Sequence, residues 1–224
     1  MNKKNMNNTS CILTVIKNEQ DYLDEWIKYH IDLGINHIFI FEDIDSDSHK
    51  EITDKYEDKV TLDTILTVLN EDEKEIAFNL KRTKQWNAQH LYFKNALNFL
   101  LTTYPNMYDW CFIIDIDEFI TLEKENTKLI DILSLYENYD AFIMHWKCYG
   151  ANGFVKKPDY SEKGVIETYV NEAEGIVNDN PQSFMKTCHN LNTYKKEFFY
   201  NQHHPTNKSN WIKTDFTKNP RTTI

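Results

Sequence analysis

Glycine and proline are scarce in this chain, five of each in 224 residues. That argues against a low-complexity chain. Long apolar runs are missing too. No stretch of eighteen apolar residues occurs, so the sequence offers no transmembrane helix. The first ten residues, MNKKNMNNTS, lack the apolar core of a signal peptide and read as a flexible leader. Basic charge is in deficit: 25 Lys and Arg face 35 Asp and Glu, a formal net charge of −10. A duplex nucleic-acid binder shows a basic face, so nucleic acid is set aside as a partner. A nucleotide is not excluded, because a bound divalent cation reverses the local field. The four cysteines, Cys11, Cys111, Cys148 and Cys188, form no CxxC pair. They read as free thiols in a reducing compartment, so a cytoplasmic protein, at most peripheral at a membrane, is expected.

Hydrophobic residues at 41% and aromatics at 14% suffice for one globular core. CILTVIK (Cys11–Lys17) is a β-branched run and reads as a buried strand. Tyr22, Leu23, Trp26, Ile27, Tyr29 and Leu33 then fall at helical spacing, with Asn18 as the expected N-cap and Gly34 as the stop. HIFIFED (His37–Asp43) is a second strand, which makes a βαβ unit and predicts a parallel sheet. A third strand is expected at Val60–Leu66 and a long helix from about Asn79 to Tyr104. The stretch DWCFIIDIDEFITL (Asp109–Leu122) reads as a strand, KLIDILSLY as a helix and AFIMHWKCYG as a strand. Beyond Ala151 the periodicity weakens, and loops with short strands at GVIETYV and FFYNQHH are expected. The whole is an α/β sandwich with a mostly parallel central sheet and a loop-rich C-terminal region. In such sheets ligands bind beyond the carboxyl ends of the strands.

Asp115-Ile116-Asp117-Glu118 sits at such an end. In an extended segment residues two apart share a side, so Asp115 and Asp117 would present two carboxylates together. Like charges that close call for a cation, and Mg²⁺ or Mn²⁺ takes oxygen ligands and keeps positions open for phosphate. A solvated acidic turn is the plainer alternative; Asp43-Ile44-Asp45 and Asp45-Ser46-Asp47 show how common the spacing is here.

The KNE…EW…H…G helix after the first strand, the acid-terminated second strand and the later DIDEF together resemble the GT-A glycosyltransferases, and more narrowly glycosyltransferase family 92 and its family-2-like relatives. The resemblance runs over roughly residues 11–205 and implies a single GT-A domain from 11 to 224. Its nucleotide-sugar-binding part would be 11–122 and its acceptor-binding part 123–224. It implies that Asp115 and Asp117 hold Mn²⁺ (or Mg²⁺) on the diphosphate of a nucleotide-sugar donor, UDP-galactose or UDP-glucose. Asn18 and Glu19 would lie beside the nucleotide, Asp43 by its ribose or base, and Gln89 against the donor. Lys186 would pair with phosphate. His203 or His204 would complete the metal shell, and which one stays open.

HWKCYGANGF matches a W-x-x-[FY]-G-x-x-G segment of the family. Trp146 and Tyr149 would stack on a sugar of the glycan or lipid-linked acceptor, and Gly150 and Gly153 would let backbone approach it. An inverting transfer needs a carboxylate base; Glu167 and Glu118 are both candidates. Trp86 and His90 share a helix face and read as core or interface. Two rival readings use the same acids or none: a metal-dependent phosphohydrolase or nucleotidyltransferase, and a non-catalytic GT-A-like module. Composition leaves the oligomeric state open.

Overall fold

The computed structural model describes residues 7–82, 87–122, 127–172, 185–199, 201–214 and 222–223. The first half runs β1 (Ser10–Ile16), α1 (Gln20–Leu33), β2 (His37–Glu42), α2 (Lys50–Thr53), β3 (Val60–Thr64), α3 (Glu71–Arg82), α4 (Asn87–Thr103) and β4 (Trp110–Ile113). The second runs β5 (Thr121–Leu122), α5 (Leu129–Leu135), β6 (Ala141–His145), α6 (Val165–Thr168), β7 (Met185–Asn190), β8 (Trp211–Lys213) and β9 (Thr222–Thr223). One sheet carries all these strands in the order β3-β2-β1-β4-β7-β6-β9-β5, with β8 also on β6. The β3-β2-β1-β4 half is parallel throughout. β7 pairs antiparallel with both β4 and β6.

Strand alternation sends successive residues of β1 to opposite layers. Ile12 packs with Trp26 and Ile27 of α1 and with Leu129, Ile132 and Leu133 of α5. Its neighbours Cys11 and Leu13 pack with Phe93, Leu97 and Leu100 of α4 and Ala77 of α3. Helices therefore cover both faces, and the molecule is the expected α/β sandwich. α1 buries Leu23, Trp26, Ile27 and His30, the i, i+3, i+4, i+7 stripe that the sequence spells. Gly34 ends it with φ 109, where a side chain would be strained. All four cysteines are free thiols, and three of them are buried.

Several expectations need correction. Asn18 is not the cap of α1. Glu19 holds that position, while Asn18 adopts φ 56 and its Oδ1 accepts from the Asp47 N–H at 2.9 Å. The long helix is two, α3 and α4, and α3 begins eight residues before the expected Asn79. GVIETYV is no strand: Val165–Thr168 form one helical turn. FFYNQHH forms no strand among its described residues, which exclude Tyr200; a 3-10 turn at Lys196–Phe198 and a single Phe199–Pro205 bridge stand there. The strand that periodicity did not reveal is β7. It is buried along its whole length and carries Lys186, Thr187, His189 and Asn190, which hide it from an apolar pattern.

His189, whose ring nitrogens have no hydrogen-bond partner among the described residues, gives a pH prediction. Burial pushes its imidazole down to about 3, against about 6.5 in the unfolded chain. Below pH 6.5 the unfolded state binds the extra proton. Its contribution is fully present above pH 6.5 and is lost as pH falls toward 3, at about 1.4 kcal/mol per pH unit. His189→Met should flatten the slope of unfolding free energy against pH by one proton between pH 6 and 4. Urea unfolding at several pH values reads this, and an unchanged slope refutes it.

Candidate active site

β4 ends at Ile113, and the acids follow it in a turn closed by the Glu118 N–H on the Asp115 carbonyl at 3.2 Å. The extended geometry expected for Asp115 and Asp117 is therefore wrong. The turn leaves Asp115 half-buried and Asp117 exposed. Ile116 is buried in the core between them and anchors the turn.

Helix α1 holds this turn from the side. Trp26 Nε1 donates to the Glu118 carbonyl at 2.7 Å, and Tyr29 Oη donates to the Ile120 carbonyl at 2.8 Å. His30 Nδ1 lies 2.9 Å from the Trp26 carbonyl and Nε2 lies 3.2 Å from the Ile120 nitrogen. Only a neutral ring that donates from Nδ1 and accepts at Nε2 satisfies both, and burial pushes His30 down to about 3. The EW…H spacing thus has a mechanical meaning, since one helix face fixes the backbone that carries the acids.

Asp115 is held from two sides. Gln89 Nε2 donates to its Oδ1 at 3.1 Å, and Gln202 Nε2 donates to Gln89 Oε1 at 3.3 Å. Lys186 donates to Oδ2 and also lies 3.3 Å from Glu118 Oε2. Lys186 is fully buried, with its ammonium 5.7 Å from the Trp146 ring centre. Glu118 Oε2 accepts the Asp115 N–H at 2.8 Å. Burial pushes the Glu118 carboxyl up to about 8, against the pull of Lys186. Asp117 is exposed to solvent. Desolvation, and then the charge of Asp115, raise its carboxyl above the usual range.

Beside these acids lies a cavity of about 720 Å³. Asp115, Asp117 and Glu118 form its acidic end. Tyr22, Tyr29, Trp146, Tyr149, Tyr160 and Tyr169 supply rings, and Val165, Ile166 and Val170 an aliphatic wall. Of the residues expected to meet an acceptor, Trp146, Tyr149 and Gly150 line it, whereas Gly153 does not. Glu118 lines it, but Glu167 is exposed on α6 outside the lining.

The expected nucleotide contacts lie along the carboxyl ends of β1 and β2. Glu19 accepts from Tyr22 Oη, and its N–H is 3.0 Å from His49 Nε2. Asp43 is paired with Lys81 of α3 at 2.9 Å, a partner the sequence did not suggest. Trp86 lies outside the described residues. His203 Nδ1 sits 2.7 Å from the Met185 carbonyl and its ring meets Trp146 edge-on at 5.9 Å. The His204 N–H donates to Asn201 Oδ1 at 2.8 Å. Among the described residues, no three His, Cys, Asp or Glu side chains converge to hold a metal. The charge of Asp115 nonetheless acts on the His203 ring, which burial pushes below its usual range.

The sequence profile of glycosyltransferase family 92 matches residues 7–173. The chain belongs to glycosyltransferase family 92. A search of curated proteins gave no match. Among solved structures, HddC from Yersinia pseudotuberculosis is similar at a TM-score of 0.43 and 11% identity over 92% of this chain and 90% of that one, too distant to carry an argument. Membership makes the protein a glycosyltransferase and sets aside the phosphohydrolase and nucleotidyltransferase reading. No helix among the described residues is long and apolar enough to cross a membrane.

The acids of this family 92 chain fit a hard cation in their chemistry. Asp115 and Asp117 offer oxygen donors near enough for one to raise the other's pKa. A carboxylate oxygen has two lone pairs, so Asp115 can keep Gln89 and Lys186 and still face a cation. Gln202 belongs to this network and carries no mark in the sequence pattern beyond standing next to the His203–His204 pair.

Proposed function

We propose that this glycosyltransferase moves a hexose from UDP-galactose or UDP-glucose to a hydroxyl of a glycan or lipid-linked acceptor seated in the aromatic cavity, with Mn²⁺ (or Mg²⁺) on the diphosphate. The observation that carries the reading is the cavity itself, whose one end is Asp115, Asp117 and Glu118 and whose walls are rings. Asp117, exposed there, would hold the cation, with Asp115 steadied beside it by Lys186 and Gln89. When bound, the ion neutralises charge on the departing nucleoside diphosphate. Trp146 and Tyr149 would orient the acceptor sugar by ring stacking. Glu118 is better placed than Glu167 to take the acceptor proton, and its raised carboxyl suits exchange near neutral pH. Asn18, Glu19 and Asp43 would border the nucleoside.

Titration with UDP and Mn²⁺ tests this. At a hundredfold excess over Kd the gain is about 2.7 kcal/mol, and Tm should rise by roughly 5–10 °C. A midpoint that saturating UDP–Mn²⁺ leaves in place refutes the donor assignment.

A further inference from the structure

Residues 165–170 supply the aliphatic wall of the cavity, yet they belong to a loop with few regular elements of its own. What holds the wall is a side chain 140 residues earlier. Glu25 on α1 is half-buried, and its Oε2 accepts the Val165 N–H at 2.6 Å while Oε1 accepts the Ile166 N–H at 3.3 Å. These are first-turn amides of α6, groups that a helix cannot satisfy internally. A carboxylate offers an acceptor oxygen to each, and the charge strengthens both bonds. Gly164 makes the approach possible: a Cβ there would overlap the Glu25 carboxylate. The neighbouring turn of α1 adds Asp21 with Lys157 at 2.7 Å and an edge-on contact of Tyr22 with Tyr160 at 5.9 Å. Tyr160 in turn shares a hydrogen bond with Tyr169 at 3.1 Å.

We propose that Glu25 is a positioning residue for transfer, docking the acceptor-side wall onto the same helix whose Trp26, Tyr29 and His30 hold the acidic turn. Both sides of the cavity are thereby referenced to α1, and the helix gauges the gap between donor acids and acceptor. The inference rests on the glycosyltransferase reading of the cavity. Glu25 touches no reacting atom; it acts through Val165 and Ile166.

Three variants of the full chain test it: Glu25→Ala, Glu25→Gln and Gly164→Ala. Gln keeps a single acceptor oxygen, and Ala at 164 displaces the carboxylate from the other side. Amide exchange at 165–170 should quicken tenfold or more in Glu25→Ala and Gly164→Ala, and less in Glu25→Gln, with β1 and β4 protection unchanged. The UDP–Mn²⁺ rise in Tm should persist. Hydrolysis of the donor by water should increase severalfold: the bond from sugar C1 to the diphosphate oxygen breaks, water oxygen bonds to C1 and its proton passes to solvent. A merely structural role would not raise that rate. Unchanged exchange at 165–170, or loss of the UDP–Mn²⁺ rise along with the wall, overturns the proposal. A wild-type chain that never responds to UDP–Mn²⁺ strikes instead at the donor assignment, and the exchange data then decide the clamp alone.

Discussion

Asp117→Asn is expected to leave the fold standing and to stop transfer. The side chain is solvent-exposed, so stability should move by no more than about 0.5 kcal/mol. The change removes one anionic oxygen donor where, on the proposed mechanism, a cation and a diphosphate would meet. Losing a cation that stabilises a leaving group costs several kcal/mol of barrier, and at 1.36 kcal/mol per tenfold that is about 10² to 10³ in kcat. The Tm rise with UDP and Mn²⁺ should vanish in the same variant. An Asp117→Asn enzyme with wild-type turnover would remove the carboxylate from the mechanism.

Lys186→Met should act on stability and metal response at once. The ammonium is fully buried and lies against Asp115 and Glu118. Removing one partner from such a group leaves unpaired buried charge and costs about 3–5 kcal/mol, a fall in Tm of roughly 10 °C. Part of the loss should be absorbed by Glu118, whose carboxyl is already pushed up to about 8 and protonates readily. Millimolar Mn²⁺ without nucleotide should restore several degrees to the variant and little to the wild type, because the ion would take over the charge that Lys186 supplies. Indifference of the variant to Mn²⁺ would show that these carboxylates do not meet a cation.

The β1–α1–β2 unit was legible because each step obeys a local rule: a β-branched run, an apolar stripe, a glycine stop. The acids after β4 were legible as chemistry but not as geometry. Two carboxylates two residues apart suggest a strand pair, yet they sit in a turn, where Lys186 and Gln89 hold Asp115 and the buried Ile116 anchors the backbone. β7 was hidden because its polar residues find their partners elsewhere in the fold: Lys186 on Asp115, 71 residues back, and Asn190 Nδ2 on the Tyr139 carbonyl, 51 residues back. GVIETYV has the β-branched residues of a strand, but the Glu25 carboxylate caps its amides into a helical turn. Contacts between distant segments leave no periodic trace, and the site is built from such contacts.

The recognisable portion of this chain ends at residue 173, while β7 begins at Met185 and lies between β4 and β6. A fragment cut to that match would therefore lose β7, β8 and β9 together, leaving β4 with an open edge, β6 without a strand partner and Asp115 stripped of its counter-charge. Recognition and self-sufficiency have different borders in this fold, and expression of the shorter piece should yield aggregate rather than a smaller enzyme.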